Sequence, residues 1–189
     1  MLGLPQGKAA LARGDDDTIR MTHDWMISRA APLVPRLWIL SCLIVLFASA
    51  PAFAQMIEAR DLAADAHQAA ERKIPLLLLF AEAGCPWCER ARQEFLLPMQ
   101  RNPEYQGKVM MREVGTDNAA ALIDFAGRTT TQADFARSHR VLMVPTVMLF
   151  GSRGEALAEP LVGFRIADYY GYFLDQRIDA ALARLRETR

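Results

Sequence analysis

Cysteine and histidine are both scarce in this chain, three of each among 189 residues. A structural zinc centre takes about four ligands at suitable spacing. Beyond residue 54 the candidates are Cys85, Cys88, His67 and His139, with no second cysteine pair, so zinc is the weaker reading and no metal is expected. Charge of one sign is also missing: 22 Lys plus Arg face 22 Asp plus Glu, interspersed without long runs. Neither nucleic acid nor an anionic membrane surface is therefore implied as a partner. No apolar run reaches the roughly 20 residues that a membrane-spanning helix needs; Leu37 through Ala50 stops short. Internal repeats and low-complexity tracts are absent too, which excludes solenoids and compositionally driven disorder.

That short run is informative for where it lies. Arg29 and Arg36 precede it, with no acid between Met26 and Arg36, and Ala52-Phe53-Ala54 follows as a small-x-small site. These are the three parts of a secretory signal. We expect a signal peptide over 26–54, cleavage after Ala54, and a periplasmic or secreted protein beginning at Gln55 with no stable membrane span. An uncleaved anchor is the alternative. Ile39-Leu40-Ser41-Cys42 has the look of a lipoprotein box, but the apolar run continues beyond the cysteine. Residues 1–25 do not fit: Asp15-Asp16-Asp17 and Asp24 would make an acidic, overlong leader, so they are expected to be a non-native extension, with translation starting at Met26 or Met21. Cleavage removes Cys42 and leaves two cysteines in an oxidising compartment. Residues 55–189 suit one domain with a single core, expected to be a monomer.

Both remaining cysteines stand in Cys85-Pro86-Trp87-Cys88. Before them, Ile74 through Phe80 is apolar on both faces, as a central parallel strand requires. Ala81-Glu82-Ala83-Gly84 makes a turn, and the residues from Glu89 to Leu97 read as an amphipathic helix with Pro86 in its first turn. Cys85 then sits where unpaired helix N–H groups and the positive end of the dipole favour thiolate, the attacking species in disulfide exchange. Cys88, a turn deeper, can resolve the mixed disulfide. Pro86 stiffens the loop, and Trp87 is placed on the surface as an apolar contact for substrate. A purely structural disulfide would close too small a loop to stabilise much; redox activity is favoured.

Further along, Val141 through Phe150 is strongly apolar but interrupted by Pro145. Proline is excluded from a central strand's interior, so Pro145 should stand at a strand's start with Val144 extended before it. Val144-Pro145-Thr146 resembles the cis-proline loop of thioredoxin-like proteins, which packs against the C-x-x-C and pairs with substrate as an added strand. A trans proline in an edge strand is the alternative.

The remaining elements are expected as follows: a helix over 57–72 with Leu62, Ala66, Ala69 and Ala70 on one face; strands at 75–80 and Val109–Val114; and a helix over about 86–98. A long connection from Gly115 to Thr130 leads to a short helix over 131–139, then the Pro145 strand, a turn at 151–154 and a strand near 156–163. A last helix follows, capped by Asp168, with Leu174, Ile178, Leu182 and Leu185 toward the core. Met110, Met111, Met143 and Met148 are read as core fillers, and Tyr169, Tyr170, Tyr172 and Phe173 as packing of the last helix.

This order resembles an α/β thioredoxin-like fold, a central mixed β-sheet flanked by helices, with its N-terminal strand reduced. The segments Phe80 through Cys88, Asp124 through Arg128, Val144-Pro145-Thr146 and Val162-Gly163-Phe164 are most similar to exported thioredoxin-related proteins of the SoxW type. The resemblance implies a thiol–disulfide oxidoreductase: Cys85 and Cys88 as the redox pair, Pro86, Trp87, Val144, Pro145 and Thr146 binding substrate, and no cofactor. Protein thiols and disulfides and an upstream redox partner are its implied partners. Reduction of protein disulfides is favoured; an oxidase or isomerase, or a redox-sensing binding module with little turnover, are the alternatives. Two departures stand out. The dipeptide between the cysteines is Pro86-Trp87 rather than Gly-Pro, and the position six residues before Cys85, where thioredoxins keep a buried acid, is Leu79. Glu82 is the nearest carboxylate in sequence, either a substitute for that acid or a solvated turn residue.

Overall fold

The computed structural model describes residues 55–187. The extension before Met26, the signal peptide with its cleavage site and Cys42 lie outside the described residues.

Chain order runs α1 (Leu62–Glu71), β1 (Leu76–Ala81), α2 (Pro86–Arg90), a π-helical segment (Ala91–Leu96), α3 (Leu97–Arg101), α4 (Pro103–Gln106) and β2 (Met110–Gly115). It continues with β3 (Ala121–Ile123), β4 (Thr129–Thr131), α5 (Gln132–Ser138), β5 (Thr146–Phe150), β6 (Leu161–Val162) and α6 (Ala167–Glu187). The main sheet has the strand order β2-β1-β5-β6. β1 runs parallel to β2 and antiparallel to β5, and β6 is antiparallel to β5, so the expected mixed sheet is present.

All six residues of β1 are buried, because helices cover the sheet on both sides. Leu77, Leu79 and Ala81 point to one face, with Cys88, Ala91 and Leu96 of the cysteine helix and Tyr170, Leu174 and Ile178 of α6. Leu76, Leu78 and Phe80 point to the other, against Leu62, Ala66 and Ala69 of α1 and Phe135 of α5. Alternation along a strand separates the two clusters.

Several expectations are corrected. α1 starts at Leu62 rather than 57, because Asp61 caps it, accepting from Ala64 N–H at 2.8 Å. The residues before it are extended against β2: Ala59 N–H donates to Glu113 C=O at 2.8 Å and Glu113 N–H to Ile57 C=O at 2.9 Å. That is the reduced N-terminal strand. Ala70 is exposed. The connection from Gly115 to Thr130 holds a hairpin, β3 with β4; three-residue strands rich in threonine carry no clear hydrophobic period. The Pro145 strand is shorter than its apolar run, and the strand near 156–163 reduces to Leu161–Val162 plus a bridge from Ala156 to Phe150. Asp168 lies in the first turn of α6 rather than capping it. Met143, Tyr169 and Tyr172 are exposed, and Tyr170 is the tyrosine of this helix that is buried.

The cysteine helix carries Pro98, whose ring would meet the carbonyl four residues back in a regular helix. The chain widens there instead: Leu97 N–H donates to Arg92 C=O, five residues back, at the end of the π-helical segment. Helical structure therefore continues to Arg101, past the expected end at 98.

Tyr105 fastens α4 to α6, donating to Asp175 Oδ1 at 2.7 Å. That bond, with burial and the nearby carboxylates of Asp175, Glu104 and Asp179, pushes its phenol up to about 12. Burial pushes the Tyr170 phenol up as well. Folded, both bind their proton more tightly than the unfolded chain does, where tyrosine titrates near 10. Their contribution to stability is complete below about pH 10 and is lost as pH rises through the folded values. An alkaline titration of the native protein, followed by phenolate absorbance, should show these two tyrosines ionising late and recovering ordinary behaviour on unfolding. A native titration complete near pH 10 would contradict this packing.

Candidate functional site

The turn after β1 aims the first cysteine. Gly84 has φ +71°, a left-handed conformation that glycine adopts without a Cβ penalty, and nothing lies within 4 Å of where a Cβ would stand. Cys85 N–H donates to Glu82 C=O at 3.3 Å. Asp117 accepts from Ala83 N–H at 3.2 Å and pins the turn to the loop after β2. Glu82 is exposed on this turn, so of its two readings the solvated one holds.

Cys85 is the N-cap of α2, with extended backbone, and its Sγ accepts from Cys88 N–H at 3.1 Å. Pro86 occupies the first helical turn, where its missing N–H leaves no bond unmade. Cys85 and Cys88 form a disulfide, their Cα atoms 5.3 Å apart. The two sulfurs differ in access: Cys85 is half-buried and Cys88 is 0% exposed. A partner approaching from solvent therefore meets Cys85 first.

The Val144–Pro145 peptide bond is cis. Pro145 is buried, and its carbonyl accepts from Gly163 N–H at 2.7 Å. Thr146 is also buried; its hydroxyl donates to Met143 C=O at 2.7 Å, which fastens the loop from inside. Val144 and Cys85 pack against the same core cluster, which contains Cys88. In the pairing of β5 with β1, Thr146 lies opposite Phe80, five residues before Cys85; Pro86 and Trp87 are exposed, Val144 is half-buried, and Pro145 and Thr146 are buried.

Sequence reasoning missed the support under Trp87. Its ring is 53% exposed and stacks on Phe164 at 6.1 Å, and Phe164 in turn packs on Tyr170 at 4.6 Å. The Arg90 guanidinium lies over Phe164 at 5.0 Å. Leu142, 96% exposed, and Met143 extend apolar surface along the Pro145 loop. No local sequence signal marks this stack, which joins positions far apart in the chain.

Cys85 also lines a groove of about 690 Å³, together with Glu82, Glu89, Arg92, Glu113 and Asp117 among others. Arg92 donates to both oxygens of Glu113, at 2.9 and 2.7 Å, and also pairs with Glu89. The bond to Glu113 holds the guanidinium above its ordinary pKa against the opposing cost of burial. Carboxylates outnumber cations here. Among the described residues, no group of three or more His, Cys, Asp or Glu could hold a metal ion, and no helix is long and apolar enough to cross a membrane.

Comparison with known proteins adds a family. A sequence model described as a thioredoxin-like domain matches residues 62–182. No match was found among curated proteins. Among solved structures, Trxlp from Edwardsiella tarda EIB202 is 22% identical with a TM-score of 0.45, over 62% of this chain and 97% of that one. Oxidised thioredoxin O2 from Arabidopsis thaliana is 17% identical with a TM-score of 0.43, over 64% and 93%. The periplasmic thioredoxin SoxS from Paracoccus pantotrophus, in its reduced form, is 19% identical with a TM-score of 0.40, over 57% and 98%.

Proposed function

Since this chain belongs to the thioredoxin-like domain family, we propose that it is an exported thiol–disulfide oxidoreductase of the SoxW-like kind that reduces disulfides in other proteins. The observation that carries this reading is the pair itself: a half-buried Cys85 at a helix start, bonded to a fully buried Cys88, beside a cis-proline loop. In the reduced protein the Cys85 thiolate attacks a substrate disulfide, forming a mixed disulfide and releasing one substrate thiolate. Cys88 then attacks Cys85 Sγ, closing the Cys85–Cys88 bond and releasing the second. Two electrons pass from the dithiol to the substrate, and an upstream donor must return them. Trp87 and Val144 hold the substrate chain, the latter through backbone pairing. Export is supported by the leader composition over 26–54 and by the absence of any cysteine outside the pair after Ala54.

The acid-rich groove supports the reducing direction. Negative charge lining the groove opposes the stabilisation that the helix start gives the Cys85 thiolate, and a less stabilised thiolate leaves the disulfide more favoured, which lowers the potential. Potentials in this superfamily run from about −270 mV for thioredoxin to about −120 mV for a strong oxidant. Equilibrating the protein with glutathione buffers, read by Trp87 fluorescence, should place it in the lower half of that range. A potential near the oxidising end would overturn the reducing role.

A further inference from the structure

Besides cysteine, methionine is a side chain that oxidants alter reversibly, from thioether to sulfoxide. Among the described residues, Met56, Met99, Met110 and Met111 are buried and Met148 is half-buried. Met143 is the exposed one, at 56%. Its place is specific. It stands two residues before the cis-proline, and its carbonyl accepts from the buried Thr146 hydroxyl at 2.7 Å. Its sulfur lies against Gly163, where an added Cβ would meet Met143 Sδ at 3.3 Å. Gly163 in turn donates its N–H to Pro145 C=O and precedes Phe164, on which Trp87 stacks. An exposed thioether therefore joins the Pro145 loop to the segment that supports Trp87.

Thioether and sulfoxide differ sharply at such a place. Trp87, Leu142, Met143 and Val162 give the exposed parts of these segments an apolar character. A partner that docks there strips water from them. A sulfoxide is polar and carries an accepting oxygen, so covering it without a donor costs free energy that covering the thioether does not. In the disulfide form neither Cys85 nor Cys88 offers a thiol for peroxide to consume. Met143 is then the open target.

We propose that Met143 is a site of reversible oxidation by peroxides, and that its sulfoxide weakens the docking of protein substrates. The inference rests on the substrate-binding role proposed above for the Pro145 loop. The sulfur lone pair attacks one peroxide oxygen; the S–O bond forms and the O–O bond breaks with its electron pair on the departing hydroxide. That hydroxide takes the proton left on the transferred oxygen and leaves as water. Sulfur loses two electrons and peroxide gains two. Methionine sulfoxide reductases reverse the change. Reduction of protein disulfides thereby falls under peroxide and returns once the sulfoxide is reduced.

The test treats the full chain, in its disulfide form, with hydrogen peroxide, removes the peroxide, and maps oxygen uptake by peptide mass. Met143 should gain one oxygen at least about tenfold faster than Met56, Met99, Met110 or Met111, a gap that unfolding in urea erases. Supplied with dithiothreitol, the treated protein should reduce insulin with a KM raised on the order of tenfold. Thiolate release from a small aromatic disulfide, which covers little of the surface, should keep its untreated rate. Sulfoxide reductases acting on both epimers should restore the insulin KM. Met143→Leu, compared with its own untreated sample, should lose the peroxide response, and Met143→Gln should raise the KM with no peroxide at all. Three results overturn the proposal: uptake at Met143 no faster than at the buried methionines, an insulin KM that oxidation leaves unchanged, or equal slowing of both substrates. A Met143→Leu that stays as sensitive does the same. Failure of the dithiol reading looks different: the untreated protein would not accelerate insulin reduction although Met143 still took up oxygen, and the inference would fall with it.

Discussion

Replacing Cys85 with serine should abolish disulfide reduction, while replacing Cys88 with alanine should leave the protein covalently attached to its substrates. Serine at position 85 keeps the N-cap oxygen but loses the thiolate. Turnover of a protein disulfide should then fall at least about a thousandfold, some 4 kcal/mol of transition-state stabilisation. Cys88→Ala retains the accessible nucleophile and removes the group that ends the encounter. Non-reducing gels of cells carrying it should show high-molecular-weight adducts that reductant dissolves, and the double variant should show none. This pair also separates an enzyme from a binding module built on the same fold. A module that only recruits a partner would bind equally well without Cys85 and would form no adducts in Cys88→Ala. Either result would sink the proposed function.

The expected contrast between the cysteines follows from features of quite different legibility. Cys85, Pro86, Cys88 and the Pro145 loop were readable because each imposes a local constraint: a dipeptide spacing, a helix start, a proline that cannot sit inside a strand. The double-sided burial of β1 was readable for the same reason, since an unbroken apolar run leaves no solvent face. The hairpin of β3 and β4 was not, because its strands are three residues long and one of them is entirely threonine. Neither was the start of α1: Asp61 caps the helix, and Ile57 and Ala59 before it pair with β2 instead.

Relations across elements were hidden altogether. Trp87 on Phe164 and Arg92 on Glu113 join positions far apart in the chain, and no local pattern distinguishes them from ordinary surface residues. Met143 was read as core because it lies in an apolar run. The run is buried only from Pro145 onward, and Leu142 and Met143 before it face solvent. Apolar content alone cannot tell a buried strand from an exposed loop that serves a partner.

Leu79→Asp should destabilise the fold by roughly 4 kcal/mol or more near neutral pH, a large part of the 5–15 kcal/mol that holds a domain together. Leu79 is 0% exposed between the cysteine helix and the sheet. Shortening it leaves a cavity, which by itself costs about 2–3 kcal/mol. The new carboxyl then faces an apolar cluster on one side and, in register on the next strand, the carboxylate of Glu113. Burial and like charge both raise its folded pKa above the unfolded value of about 3.9. A group shifted this way costs nothing extra below the unfolded pKa. Its penalty grows as pH rises toward the folded pKa, by about 1.4 kcal/mol per pH unit, and then levels off. Urea unfolding of the oxidised protein at several pH values should therefore show the variant closest to the parent near pH 4 and furthest from it near pH 7. Adding Glu113→Gln should recover part of the neutral-pH loss by removing the neighbouring charge. A variant whose deficit is the same at both pH values would mean that the two carboxyl groups do not face each other beneath the cysteines. The register that places Glu113 beside Leu79 would then be wrong.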